Sequence, residues 1–247
     1  MERLDDILGY KNRKIYQADD CFSFSLDSVM LANFATIRMR DKNILDLGCG
    51  NGVIPLILSL RTDKKIVGVE LQKKLANMAI KSVEYNGLES QIEILNINMK
   101  DYVNTETMEK YDLITCNPPY FKVNEENYFN LSLEKVIARH EVEVTLDDVF
   151  CISKKLLKNN GNFAIVHRPV RLMEIFDLFR KNNIEPKRLQ FVYEKISKES
   201  TLVLVEGQKC GKAGLKIERP FILYNEDGTM TKEYESLCRE VTNNATK

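Results

Sequence analysis

Asp46-Leu47-Gly48-Cys49-Gly50-Asn51-Gly52, directly after Lys42-Asn43-Ile44-Leu45, is the stretch that decides the fold. A short apolar run that stops at glycines reads as a buried strand, and glycines at alternate positions read as a tight strand-to-helix turn. Such a turn brings bare backbone N–H groups up to a ligand at the start of a helix. Working outward, Lys65–Val69, Ile92–Leu95, Leu113–Cys116 and Asn162–Val166 read as further buried parallel strands. Between them Val53–Leu60, Leu71–Tyr85 and Leu146–Leu157 carry apolar residues at helical spacings of three and four. This rhythm predicts an α/β fold: a doubly wound, Rossmann-like sheet, mostly parallel, with ligands at the carboxyl ends of its strands. After a predicted helix at Arg171–Lys181, Arg188–Tyr193 and Leu202–Val205 are expected to finish the sheet with an antiparallel C-terminal strand. Ile15–Phe24 and Ser28–Phe34 predict a short N-terminal β/α extension. No repeat or linker interrupts the chain, so residues 1–247 are read as one domain. Within it lie an N-terminal extension (1–40), a core (41–206) and a C-terminal substrate-side segment (207–247). Lys122–Leu131 and Gly207–Gly214 are expected to be mobile loops.

Composition excludes several classes. Hydrophobic content of 44% with 29% charged residues is ordinary for a soluble globular protein. No apolar run approaches the roughly 20 residues that span a bilayer. The start, Met1-Glu2-Arg3-Leu4-Asp5-Asp6, lacks the apolar stretch of a signal peptide, so a cytoplasmic, membrane-free protein is expected. The six cysteines show no C-x-x-C spacing and two lie inside motif turns, which favours reduced thiols. With two histidines, His140 and His167, and no clustered ligands, no metal is expected. Formal net charge is zero, but residues 1–150 hold 18 basic and 24 acidic side chains while residues 151–220 hold 15 and 7. That imbalance reads either as a phosphate-facing basic surface or as a solvated lysine-rich one.

The glycine turn alone is shared with nucleotide-binding oxidoreductases. Two carboxylates separate the readings. Asp46, at the strand end, would repel a pyrophosphate but suits a ligand bearing an ammonium and a sulfonium, such as S-adenosylmethionine. Glu70 ends the next strand, beside Leu71, where an acid can accept hydrogen bonds from both ribose hydroxyls. Gly48, Gly50 and Gly52 complete the candidate cofactor site. Either Asn98 or Asp101 falls near the adenine. Gln17, Phe22, Phe24 and Asp27 either close over the cofactor or pack an N-terminal β element.

The second decisive stretch is Asn117-Pro118-Pro119-Tyr120, after the strand Tyr111-Asp112-Leu113-Ile114-Thr115-Cys116. The exocyclic nitrogen of a base is a poor nucleophile because its lone pair is delocalised into the ring. The Asn117 side-chain oxygen and the Pro118 carbonyl can accept both of its N–H groups and orient the lone pair. Two prolines stiffen the loop. Tyr120, with Phe121 beside it, offers a face for a flipped-out base, worth about 1–3 kcal/mol in stacking. Catalysis would then be alignment plus amine activation.

Together the two motifs resemble the signature of S-adenosylmethionine-dependent amino-methyltransferases. That tetrapeptide accompanies methylation of adenine N6, cytosine N4, guanine N2 or a glutamine amide, so it implies a reaction type and leaves the substrate open. The flanks go further. Gln17, Phe22, Phe24, Asp27-Ser28, Ala138-Arg139-His140-Glu141, Leu204-Val205-Glu206-Gly207-Gln208-Lys209, Gly211–Leu215 and Pro220–Tyr224 with Asp227-Gly228 form one pattern. It resembles the bacterial tRNA1(Val) (adenine(37)-N6)-methyltransferase family from about Asp20 to Glu233. Cys210 and Ala213 depart from the glycine and proline expected there, and Met230 from an aromatic. The resemblance implies N6-methylation of an anticodon-adjacent adenosine, with tRNA as partner and a monomeric enzyme. Arg139 and His140 are candidates for phosphate or substrate-loop contacts, or a surface pair near a helix start; Lys209 and Lys212, among glycines where backbone can approach a phosphate, are candidate RNA contacts, or part of a plain flexible hairpin. Rival readings are a glutamine N5-methyltransferase of release factors, a guanine-N2 rRNA methyltransferase, a DNA adenine methyltransferase, and an RNA-binding factor with a vestigial cofactor site.

Overall fold

A computed structural model describes residues 2–7, 10–19, 25–119 and 144–239. The glycine turn joins β3 (Asn43–Leu47) to α2 (Val53–Leu58), and the chain continues through β4 (Lys65–Glu70), α3 (Lys73–Tyr85), β5 (Ile92–Asn96) and β6 (Tyr111–Cys116). Beyond residue 143 come α4 (Leu146–Leu156), β7 (Leu157–His167), α5 (Leu172–Lys181), β8 (Ile184–Tyr193) and β9 (Ser200–Lys209). Two short strands, β10 (Lys216–Ile217) and β11 (Phe221–Ile222), and α6 (Lys232–Arg239) follow. The main sheet runs β10-β8-β9-β7-β6-β3-β4-β5, with β11 also paired to β8. Strands β5, β4, β3, β6 and β7 are mutually parallel, and β9 lies antiparallel to both β7 and β8.

Alternation along each strand divides the core between two faces, as expected for a parallel sheet covered on both sides. Ile44, Ile66, Leu113, Ala164 and Leu204 face the cluster built with α1 (Leu26–Phe34) and α2. Leu45, Leu47, Val69, Ile114, Phe163 and Val205 face the cluster built with α4 and α5. There Phe150, Phe163 and Phe179 pack edge to face and tilted, with centroids 4.8–5.8 Å apart. A capping box starts α4: the Thr145 hydroxyl accepts from Asp148 N, and the Asp148 carboxylate accepts from Thr145 N.

The strands predicted for the main sheet are all present and several run longer, because hydrogen bonding continues where the apolar pattern fades; of the β element expected over Ile15–Phe24, residues 20–24 lie outside the described residues. One element escapes the pattern. Glu2–Ile7 forms β1, paired antiparallel with β2 (Tyr10–Ala18) in a separate two-stranded sheet. The hairpin rests on α3: Tyr16 N donates to Ser82 Oγ and Lys14 N to Asn86 Oδ1. Of Glu2–Ile7 only Ile7 is buried, so the strand lacks the apolar/polar alternation that would disclose it. Leu71 and Gln72 precede α3 rather than opening it.

A second correction concerns 207–214. Residues 207–209 are the last of β9, not part of a loop. A Cβ on Gly207 would sit 2.5 Å from the Phe179 ring, so glycine is there for close packing. Cys210, the departure from glycine, has φ +56°. A side chain in that left-handed region costs roughly 1 kcal/mol, partly offset in glycine by its larger unfolded-state entropy. Cys210→Gly is therefore expected to stabilise the protein by no more than about 0.5 kcal/mol in urea denaturation.

Candidate active site

Strand β3 is where the connections reverse direction: β4 and β5 lie to one side, β6 and β7 to the other. Open α/β sheets bind ligands at the carboxyl ends of the strands flanking such a point. Both decisive motifs emerge there, since Leu47 of β3 pairs with Cys116 of β6. Gly48, Gly50 and Gly52 all have positive φ, at +70°, +56° and +89°. The turn is held to the end of β4: Gly48 N and Cys49 N donate to Val69 O at 2.9 and 3.0 Å. Buried Glu70 completes the clamp, accepting from Gly50 N on Oε2 (2.9 Å) and from Gln72 N on Oε1 (2.8 Å). Asn51 reaches the N-terminal hairpin, donating to Tyr16 O at 3.2 Å.

Asp46 is fully buried; Oδ1 accepts from Thr115 Oγ1 at 2.7 Å, and Oδ2 has no hydrogen-bond partner among the described residues. Burial pushes its pKa up to about 8, against the Thr115 hydrogen bond and with help from the nearby Glu70 charge. Burial likewise raises Glu70, while its backbone donors pull the other way. An orphan buried carboxylate oxygen and a second acid beside a glycine cradle fit a cationic ligand with a hydroxylated sugar, and oppose a pyrophosphate. A carboxyl whose folded pKa lies above its unfolded value of about 3.9 destabilises the ligand-free fold increasingly from about pH 4 to pH 8. Asp46→Asn removes that penalty. Its stability relative to wild type, from urea denaturation without ligand, is expected to rise with pH across that window and level off above it. A pH-independent difference would show that Asp46 ionises freely.

On the β6 side, Asn117 is half-buried and donates from Nδ2 to Ser28 Oγ of α1 at 2.9 Å. Pro118 is buried and Pro119 half-buried. Tyr120, Phe121, Arg139 and His140 lie outside the described residues, as do Phe22, Phe24 and the segment Lys122–Leu131. After β5, Asn98 closes a turn, with Oδ1 accepting from Lys100 N (2.9 Å) and its carbonyl from Asp101 N (3.0 Å). Asp101 is exposed. From that turn Met99 reaches Gly48, 3.9 Å from where a Cβ would stand. Leu71 O accepts from Asn96 Nδ2. Gln17 is buried and donates to Asp5 Oδ2 (2.8 Å), and Asp27 lies in the first turn of α1. Thr115, Met99 and Ser28 were not expected in the site. Only Ser28 left a signal, a polar residue inside the apolar run of α1.

Lys209 is corrected by the structure. Its side chain is buried and donates to Leu157 O (2.7 Å) and Glu109 (3.0 Å). Because β9 runs antiparallel to β7, Lys209 and the exposed Lys212 sit at the amino ends of the parallel strands, opposite the motifs. The adjoining Glu206 is buried too, accepting from Thr36 N and Oγ1 (both 2.7 Å) and pairing with Arg188. The basic excess of 151–220 is also met in space: Lys158 pairs with Asp112, Lys181 with Asp147 and Lys209 with Glu109.

Among the described residues no group of His, Cys, Asp or Glu could hold a metal, and no helix is long and apolar enough to cross a membrane. Several curated proteins are similar to this chain. One from Aliivibrio salmonicida is 26% identical over 183 residues, covering 74% of this chain and 75% of its own length. One from Actinobacillus pleuropneumoniae is 28% identical over 235 residues, covering 94% and 95%. Each bears the name tRNA1(Val) (adenine(37)-N6)-methyltransferase. Solved structures share the fold at lower identity. An Agrobacterium tumefaciens protein described as a predicted O-methyltransferase matches with TM-score 0.66 at 18% identity, over 85% of this chain and 96% of that one. Geranyl diphosphate C-methyltransferase from Streptomyces coelicolor matches with TM-score 0.55 at 12% identity, over 74% and 77%. The family model described as "Methyltransferase small domain" matches residues 23–183, and the chain belongs to that family.

Proposed function

We propose that this chain transfers a methyl group to N6 of an adenosine in tRNA, with adenosine 37 of tRNA1(Val) as the first substrate to test. The observation that carries the reading is the meeting of two half-sites at one switch point. One is acidic and glycine-rich (Asp46, Gly48, Gly50, Glu70), and the other an amide at a stiff proline turn (Asn117, Pro118). The names of the curated relatives supply the nucleobase. S-adenosylmethionine, when bound, supplies a methyl made electrophilic by its sulfonium. Asp46 would face the cationic amino-acid end and Glu70 the ribose, with Gly48, Gly50 and Gly52 giving backbone access and the Asn98 turn flanking the adenine. Asn117 Oδ1 and the Pro118 carbonyl accept the two N–H groups of the substrate amine. That places its lone pair in line and favours pyramidal geometry as the new N–C bond forms. The methyl–sulfur bond breaks as that bond forms, its electron pair staying with the sulfur, and the nitrogen then sheds one proton to water. Tyr120 stacks on the extruded base. Action in the cytoplasm as a monomer goes with this reading.

Methylation of total small RNA from cells lacking the gene, followed by nucleoside mass spectrometry, tests it. N6-methyladenosine in tRNA is expected. Methylguanosine instead, or N5-methylglutamine in added release factor with RNA adenosine untouched, would transfer the function to a rival.

A further inference from the structure

We infer that Ser28 is the positioning residue for the Asn117 amide, an inference that rests on the amine-methylation reading of that amide. Helix α1 is otherwise apolar on its inward side: Val29, Leu31 and Ala32 are fully buried, and Ser28 lies among them at 6% exposure. A hydroxyl in such surroundings persists where it has a polar partner. Its partner is the Asn117 side chain, 89 residues away, with Nδ2 to Oγ at 2.9 Å. The nitrogen and oxygen of an amide diverge from one carbon, so holding Nδ2 against α1 directs Oδ1 away from it. Loss of that contact removes the link between the amide and α1 and makes a half rotation about its last bond less costly. The rotated amide would then present N–H groups to a substrate amine that itself offers N–H groups.

The anchor is rigid. Ser28 N donates to Ser25 O at 3.2 Å, and the far end of α1 is held by Arg61, which donates to the carbonyls of Ala32 and Ala35. Groups set by a packed helix are more reproducible in angle than groups set by a loop. The N-terminal extension thus reaches both half-sites: through Ser28 to Asn117, and through Tyr16 O to Asn51 of the glycine turn.

The test is single-turnover methyl transfer to in vitro transcribed tRNA1(Val) at saturating S-adenosylmethionine, on wild type, Ser28→Ala, Ser28→Thr, Asn117→Ala and Ser28→Ala/Asn117→Ala. Ser28→Ala is expected to slow transfer about tenfold, the effect of losing one hydrogen bond that orients the amide. KM for RNA, cofactor affinity and thermal midpoint should stay within about twofold or about 2 °C of wild type, since α1 keeps its apolar contacts. Ser28→Thr, which retains the hydroxyl, should restore most of the rate. In the Asn117→Ala background Ser28→Ala should have no further effect. An undiminished rate in Ser28→Ala overturns the inference, as does a loss that persists in the Asn117→Ala background or travels with lost cofactor affinity. If wild type leaves RNA adenosine unmethylated, the functional reading fails, and this inference with it.

Discussion

Asn117→Ala is expected to lower the single-turnover rate of methyl transfer by about a hundred- to a thousandfold, the range for deleting one preorganised polar group at a reacting centre. Binding of S-adenosylmethionine should be unchanged within about twofold. The asymmetry follows from placement. Asn117 stands on the β6 side of the switch point, whereas the glycine turn is fastened to β4 by Val69 O and Glu70. Loss of the amide removes one of two acceptors for the substrate N–H groups and leaves that clamp intact. Unfolding is not expected to confound the result. Pro118 and β6 remain packed, and α1 is held by its buried Val29, Leu31 and Ala32. Calorimetry gives the cofactor affinity, and quench-flow with labelled methyl donor gives the rate. A variant retaining more than a tenth of the wild-type rate would remove Asn117 from the chemistry. An equal loss of cofactor affinity would move it to the other half-site.

The reverse split is expected for Glu70→Ala: cofactor affinity should fall by about a hundredfold or more. Each ribose hydroxyl bonded to a carboxylate is worth roughly 1.5–3 kcal/mol, and two are lost together. The same substitution frees Gly50 N and Gln72 N, so the turn also loses its fastening to β4. Glu70→Gln should be nearly as damaging. One Glu70 oxygen meets Gly50 N and the other Gln72 N, so an amide must set its NH2 against one of two N–H donors. Saturating cofactor should recover much of the transfer rate in either variant, because the Asn117 side is untouched. Near-normal affinity in Glu70→Gln would show that the carboxylate does not bridge the turn in solution.

A stretch of sequence discloses chemistry well when its residues act locally. The run Ile44–Gly52 announces a strand and its turn because glycines with φ of +70°, +56° and +89° accept what other residues resist. The acids at 46 and 70 and the tetrapeptide at 117 are readable because each terminates a strand, and parallel strands bring their carboxyl ends to one edge. Strand β1 was illegible because a hairpin lying on one helix needs only a thin apolar stripe. The charge imbalance misled for a different reason. Composition counts lysines without their partners, and Lys158, Lys181 and Lys209 find theirs in Asp112, Asp147 and Glu109 from the first 150 residues.

By itself, then, the sequence determined the strands of the central parallel unit, the acids that flank the glycine turn and the amide at the end of β6. All of these follow from local periodicity and from backbone conformations open to few residues. Tertiary structure decided the rest. It turned Glu70 into a clamp on Gly50, sent Lys209 to the amino-terminal edge of the sheet, and set Ser28 against Asn117. These are contacts between residues 20 to 89 positions apart, or placements set by the direction of one antiparallel strand. No local pattern encodes them, because they exist only once the sheet has brought its strands together.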